Sequence, residues 1–409
     1  MGMLVGLAWR NIARNKRRTV ITIVTVAFAA LLSVSMRGLQ IGTYRANIRN
    51  AVELFSGYLQ IQHPDYRDNP TLRHSFRPTP EMVSALEDRP EVTGFAPRVY
   101  SEGLVSLGET SLGAALFGID PERERGVTTI HGRLDRGRFI ESSSAMEVVV
   151  GEKLLENLEA DLGDSVVVLS QAYDGTLGNF FFTIVGTIKT GSPDLDRSGV
   201  LMGLGAAQEL LGMDDRVSVL AVSLDDVESV SAVEEALDRR LRTLGADCLP
   251  WQEIMPELEQ SIKLDNISGI LMLSILVVVA AFGILNTMVM SVTERFNEFG
   301  VLLAIGMPNK RLCAVVLMES LFIVLIGLIG GNLIAAGVNA YIMGNPIEIT
   351  GEMDALYEQF GFIPRLESTL SPGVFVKPSL AILFVSLLAF LYPGWKVFRL
   401  EAMKGIRYT

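Results

Sequence analysis

Residues 266–293 read NISGILMLSILVVVAAFGILNTMVMSVT, with no charged side chain between Asp265 and Glu294. A helix needs about 20 mostly apolar residues to cross roughly 30 Å of hydrocarbon. This stretch is long enough, and three others resemble it. Thr19 to Met36 carries no charge between Arg18 and Arg37, whose long side chains can snorkel, and its helix is expected to continue past Gly38. A third stretch starts near Leu312 and ends near Met343, with one acid, Glu319, close to its start. The fourth runs from Pro378 to Trp395, between Lys377 and Lys396.

Composition agrees with a mixed protein. Hydrophobic residues make up 49% of the 409, yet charged residues make up 20%, too many for a wholly buried bundle. The net charge of −11 argues against nucleic acid, which rewards clustered Lys and Arg. Cys248 and Cys313 are expected on opposite sides of the membrane, so no disulfide framework is expected. His63, His74 and His131 show no metal-ligand spacing and read as surface or hydrogen-bonded histidines.

Basic residues set the expected orientation. The N-terminal segment carries Arg10, Arg14, Lys16, Arg17 and Arg18 and no acid. The C-terminal tail carries Lys396, Arg399, Lys404 and Arg407 against Glu401. Segment 294–311 holds Arg295, Lys310 and Arg311 against Glu294 and Glu298. These three are expected inside, with both termini cytoplasmic. The first span could instead be a cleaved signal peptide, but its apolar run is longer than usual and no convincing small-x-small site follows. An uncleaved anchor is the expectation.

The long segment 42–265 then lies outside, with roughly 20 bases and 37 acids. It reads as α+β. Gly57 to Gln62, GYLQIQ, alternates like a strand. Thr79-Pro80-Glu81 opens a short helix through about Leu86, with threonine as N-cap and proline in the first turn. Strands are expected at Val99–Leu107 and Ser111–Ile119 around Gly108-Glu109, at Met146–Val150, and at Asp164–Ser170 and Phe180–Lys189 around the Asp174-Gly175 turn. Glu152–Leu158 reads as a helix. Val217–Leu224 is a strand, followed by a helix at Val227–Leu244. The expected organisation is an N-terminal amphipathic helix (1–18), span 19–41 and an external domain 42–265. That domain divides into outer portions, about 42–97 and 214–265, around a strand-rich subdomain, about 98–213. Then come span 266–293, a coupling segment 294–311, span 312–343, a short external loop 344–376, span 377–396 and a tail 397–409.

No catalytic constellation stands out. Ser142-Ser143-Ser144 lacks a nucleophile-elbow context. The acid pairs Asp225-Asp226 and Glu234-Glu235 read as solvated faces. No G-x-x-x-x-G-K-[ST] phosphate loop occurs, so no ATPase site of that type is expected in this chain.

The segment between the second and third spans reads TERFNEFGVLLAIGMPNK, 293–310. Phe296, Phe299 and Leu303 fall on one helical face. Such a helix suits docking into a groove on a partner, and equally suits lying on lipid headgroups. Arg295-x-x-Glu298-x-Gly300-x-Leu302-x-Ala304-Ile305-Gly306 resembles the coupling helix of FtsX-like ABC transporter permeases, the group with the MacB-type exporters and the Lol lipoprotein-releasing complex. The likeness runs through nearly the whole chain. Leu7-Ala8-Trp9-Arg10-Asn11 through Arg18 resembles the family's N-terminal amphipathic helix. Phe117-Gly118-Ile119-Asp120-Pro121, Gly132-Arg133-Leu134, Val150-Gly151-Glu152-Lys153-Leu154 and Leu162-Gly163-Asp164 occur in family order. Phe182-Thr183-Ile184-Val185-Gly186 leading to Thr190-Gly191 and Asp196 is similar to the Lol branch. Pro393-Gly394-Trp395-Lys396 through Glu401-Ala402-Met403 resembles the closing segment.

The resemblance implies four transmembrane helices plus a large α+β, MacB-like periplasmic domain of two subdomains, in a bacterial inner membrane. It implies a permease without its own ATPase site, paired with a second permease subunit, the same chain or a homologue. A separate cytoplasmic ATPase dimer would bind ATP and magnesium, and this chain would bind no cofactor. Glu294, Arg295, Phe296, Glu298, Phe299, Gly300, Leu303, Ala304 and Gly306 would receive the ATPase's push. Gly327 and Gly331, a G-x-x-x-G, permit close helix packing, within one subunit or between two. Glu319 is an acid at membrane depth, either functional or paired with Lys310 or Arg311 near the interface. By location alone, Val34, Leu39, Leu54, Ile262, Ile267 and Leu271 would line a cavity for acyl chains, or simply face lipid.

Two departures accompany the likeness. The macrolide-exporter type carries its ATPase fused at the N-terminus, whereas this sequence opens at the amphipathic helix. The Lol subunit that recruits a periplasmic carrier uses a protruding loop, and the corresponding SQAYDGTLGNF, 170–180, is short. The expected substrate is a membrane lipoprotein, with a carrier or adaptor as further partner. The alternatives are an export permease working through a periplasmic adaptor and outer-membrane channel, or a regulator of cell-wall hydrolases. The length of the external segment speaks against the regulator.

Overall fold

A computed structural model describes residues 6, 7, 9, 10, 12, 14, 16–351, 357 and 365–400. The expected N-terminal helix and the loop 344–376 are therefore described only in part. Glu401-Ala402-Met403, with the rest of the tail, lies outside the described residues. The chain forms two units, Met1–Tyr44 with Ile262–Glu348 and Arg365–Thr409, and Arg45–Ser261 with Ile349–Pro364.

The first unit is built on long helices, labelled here α1 (Lys16–Ala51), α2 (Pro256–Glu294), the short α3 (Phe296–Ala304), α4 (Asn309–Gly344) and α5 (Pro372–Phe398). Helices α1, α2, α4 and α5 are long and apolar enough to cross a membrane. All four apolar stretches fall inside them. The helices exceed the apolar runs because polar flanks continue the backbone ladder: α1 extends well past Gly38, and α2 begins at Pro256 rather than near Asn266. Val26, Ala30, Ile284, Val324, Leu328, Ile382 and Phe390 form the shared core of these helices.

The second unit is built on a ten-stranded sheet: β1 (Leu59–Gln62), β2 (Val92–Leu107), β3 (Thr110–Ile119), β4 (Leu134–Gly137), β5 (Glu147–Gly151), β6 (Ser165–Gln171), β7 (Leu177–Ile188), β8 (Gly199–Gly203), β9 (Val219–Leu224) and β10 (Asp247–Pro250). Two parts share it. The outer part runs β10-β1-β9-β2, and helix Val230–Arg242 lays Val230, Val233, Leu237 and Leu241 inward. Helix Pro80–Glu87 starts as its sequence predicts, with the Thr79 side chain accepting from the Met82 N–H. In the strand-rich part, β2, β3, β8, β5, β7 and β6 pair in a ring that returns to β2. Val105, Leu116, Val148, Val166, Phe182 and Met202 belong to its core.

Strand β2 belongs to both parts. Val92–Arg98 pairs with β9, and Arg98–Leu107 pairs with β3. It starts well before the expected Val99, because β9 offers an edge to the preceding residues. GYLQIQ also departs from its alternating pattern: all four residues of β1 are buried, since the strand lies between β10 and β9. The β6–β7 connection is tight, closed by the Ala172 N–H to the Thr176 carbonyl at 2.8 Å, with Gly175 at φ +90°. His63 and His74 stack at 5.5 Å between centroids, and no metal-binding cluster occurs among the described residues. Cys248 and Cys313 are free thiols.

Candidate coupling site

The link between α2 and α4 is short and tightly specified. Helix α2 ends at Glu294, and Arg295, at φ −104° and ψ 11°, breaks the ladder before α3 begins. Gly306, at φ +102°, turns the chain after α3, a conformation that side chains with a Cβ rarely adopt. Pro308 then precedes the first turn of α4, where Asn309 Nδ2 donates to the carbonyls of Phe398 and Leu400 at 2.8 and 3.0 Å. The link is thereby tied to the end of α5.

The apolar face read from the sequence is present but turns inward. Phe296 and Phe299 are buried in the helical core, and Leu303 packs against it. That face is already occupied by the chain's own helices, so it cannot be the surface offered to a partner groove. The outward side holds Glu294, Asn297, Glu298, Val301, Leu302, Ala304, Ile305 and Gly306. Among these, Ile305 is 79% exposed. Gly300 is buried.

Behind α3 lies a buried ion pair. Arg295 Nη1 donates to both carboxylate oxygens of Glu319, at 3.1 and 2.8 Å. Arg295 Nε reaches Glu298 Oε2 at 3.3 Å, and the guanidinium lies over the Phe299 ring, 5.1 Å from its centroid. Glu319 therefore pairs with a base on a neighbouring segment, not with Lys310 or Arg311. The latter two lie about two turns away on the same helix, whereas Arg295 meets Glu319 from the side. A small cavity of about 30 Å³ beside the pair is lined by Thr19, Thr22, Thr287, Ser291 and Ser320 among others.

Glu298 is shared between two arginines. It accepts from Arg14, which no sequence motif ties to this segment, and from Arg295. Burial alone would raise its carboxyl, but hydrogen bonds and charge from Arg14, joined by Arg295, hold it below the ordinary carboxylate range. Glu298 thus links the N-terminal helix, α3 and, through Arg295, α4. The usable signal for Arg295 was the rule that an acid within a span needs a base at its own depth.

The remaining expected residues separate into different places. A Cβ on Gly331 would lie 2.4 Å from the Ala27 carbonyl oxygen, and one on Gly327 would lie 2.7 Å from the Val26 Cβ. Both glycines therefore serve a close crossing of α4 with α1 inside one chain. Val34 is buried against Ala335 and Val374, so it lines no open cavity. Leu54 packs with Ile119, Ile130, Ile140 and Val149 in the core of the second unit, which removes it from any lipid-facing surface. Leu39 and Ile262 are half-buried. Ile267 and Leu271 are exposed on α2.

Comparison with known proteins agrees with this architecture. Residues 19–240 match the MacB-like periplasmic core domain, and residues 270–402 match the FtsX-like permease C-terminal domain. The lipoprotein-releasing system transmembrane protein LolC of Xylella fastidiosa is 28% identical over 339 residues, covering 80% of this chain and 80% of that protein. LolC of Neisseria meningitidis serogroup B is 23% identical over 424 residues, covering 99% and 98%. The macrolide export ATP-binding/permease protein MacB of Nitrobacter winogradskyi is 24% identical over 357 residues, covering 82% of this chain and 52% of that protein. With a core-domain match spanning more than half its length and a permease match over its later helices, the chain belongs to the FtsX-like, MacB-type family of ABC transporter permeases.

Proposed function

We propose that this permease couples ATP hydrolysis by a separate ATPase to release of lipoproteins from the inner membrane. The observation that carries the coupling role is α3: one face is fixed to the bundle by Phe296, Phe299 and the Arg295–Glu319 pair, while the other exposes Val301, Leu302 and Ile305. A helix so mounted passes a push on its outer face into α4 and cannot absorb it by rotating. In this reading α3 and both termini are cytoplasmic, following the basic residues that flank the spans. The likeness to LolC along 99% of the chain supports lipoprotein as the substrate class.

A second reading is export through a periplasmic adaptor, favoured by the tight Ala172–Thr176 turn where a carrier-recruiting loop is expected. Purifying the chain with its partner ATPase and identifying bound lipoprotein by mass spectrometry separates the two. Enrichment of triacylated lipoprotein supports release. Its reproducible absence moves the assignment to export.

A further inference from the structure

Helix α1 does not fray where it ends in the second unit. It passes into a π-helical turn, Val52–Ser56, whose final carbonyls find partners one by one. The last carbonyls of a helix lack intrahelical donors and must be satisfied from elsewhere. Val52 O accepts from Gly57 N at 2.9 Å, and Glu53 O from Thr129 N at 2.7 Å. Ser56 O accepts from Gln60 Nε2 at 2.8 Å, and Phe55 O accepts from Arg98 Nη1.

Arg98 is the unusual donor. Its side chain is 0% exposed, and its partner Glu124 is 1% exposed. Arg98 Nε and Nη2 grip both carboxylate oxygens of Glu124 at 3.1 and 2.6 Å. Thr128 Oγ1 donates to the same carboxylate at 2.5 Å. Tyr100 OH takes a further Arg98 bond at 3.0 Å, and the guanidinium lies 4.5 Å from the Phe55 ring centroid. Arg98 also occupies the residue at which β2 passes from pairing with β9 to pairing with β3.

We propose that Arg98 is a positioning residue for coupled transport: with Glu124 it bolts the π-helical turn that closes α1 to the strand shared by both parts of the sheet. Displacement of this helix end then moves the sheet as one body and is not lost at Gly57, whose φ of +78° makes it the natural joint. The ordinary alternative is a core ion pair that only fills space. Against it stands the energetics. Apolar residues of similar volume usually serve a core as well as a buried pair does, so what the pair adds is direction and a bond to the helix end. The transport arm of the test rests on the lipoprotein-release reading; the structural arm does not.

The full chain is placed in vesicles with its ATPase and a triacylated lipoprotein, as wild type, as Arg98→Met with Glu124→Leu, and as Arg98→Lys. Spin labels at 49 and 176 report the distance between the helix end and the β6–β7 turn, without nucleotide. Wild type should give one narrow distribution. Both variants should broaden it, and lipoprotein released per ATP should fall about tenfold. A double variant that matches wild type in distance distribution and in release per ATP overturns the proposal and leaves a space-filling pair. If the double variant does not fold, Arg98→Lys decides by the same two readings. If wild type releases no lipoprotein, the functional reading fails, while the label distances still decide on the bolt.

Discussion

Arg295 and Glu319 join two segments of different kinds: the break between α2 and α3, and the membrane-depth turns of α4. Both side chains are buried, and Arg295 donates at 3.1 and 2.8 Å. Removing one member leaves the other charge buried without a partner, which typically costs about 3–5 kcal/mol. Glu319→Gln and Arg295→Met should each lower the thermal midpoint of the detergent-solubilised chain markedly. Arg295→Met combined with Glu319→Leu should recover most of that loss, yet still couple ATP hydrolysis to transport poorly. A double variant that couples like wild type would show that the pair contributes only packing.

The glycines of α4 make a sharper test, because neighbours behave oppositely. A side chain at Gly331 meets the Ala27 backbone, whereas one at Gly330 meets nothing within 4 Å. Gly331→Leu should therefore force α1 and α4 apart and cost about 1–3 kcal/mol or more, as overpacking does. Gly330→Leu should leave folded yield and thermal midpoint near wild type. Equal loss from both would mean that Gly330 faces another subunit.

What could be read in advance divides along a physical line. The spans were legible because hydrocarbon demands long apolar runs, and charge closes each of them. The turns at Gly108-Glu109 and Asp174-Gly175 were legible because glycine permits the positive φ they use. The burial of β1 was not, since alternation says which residues could share a face but not that β9 and β10 flank both edges. Periodicity likewise marked Phe296, Phe299 and Leu303 as one face without saying what covers it. Arg295 beside Glu319, and Arg14 as the second partner of Glu298, come from distant parts of the chain, and no local pattern encodes those two pairings.

Glu298 predicts a pH dependence of definite sign. Its folded carboxyl is held below the ordinary range by Arg14 and Arg295 after burial has pushed the other way. A depressed folded pKa stabilises above the unfolded pKa, and that contribution is lost as pH falls through the folded value. The stability gap between wild type and Glu298→Gln should therefore stay constant from pH 7 to about 5 and narrow below about 4.3. The gap should be small, because the side chain is 47% exposed and water screens it. A gap that opens on acidification would reverse the assignment.

The two faces of α3 should separate folding from partner binding. Phe299 is 2% exposed and sits in the helical core, so Phe299→Ala should destabilise the chain by about 3–5 kcal/mol and reduce folded yield. Val301 and Ile305 are 49% and 79% exposed. Val301→Asp and Ile305→Asp should leave the thermal midpoint of the isolated permease unchanged. They should abolish co-purification of the ATPase, because a carboxylate on that face would be buried without a partner in the complex. Co-purification at wild-type level with both substitutions present would move the docking surface away from α3. Loss of folding with either one would show that the outward face is packed after all.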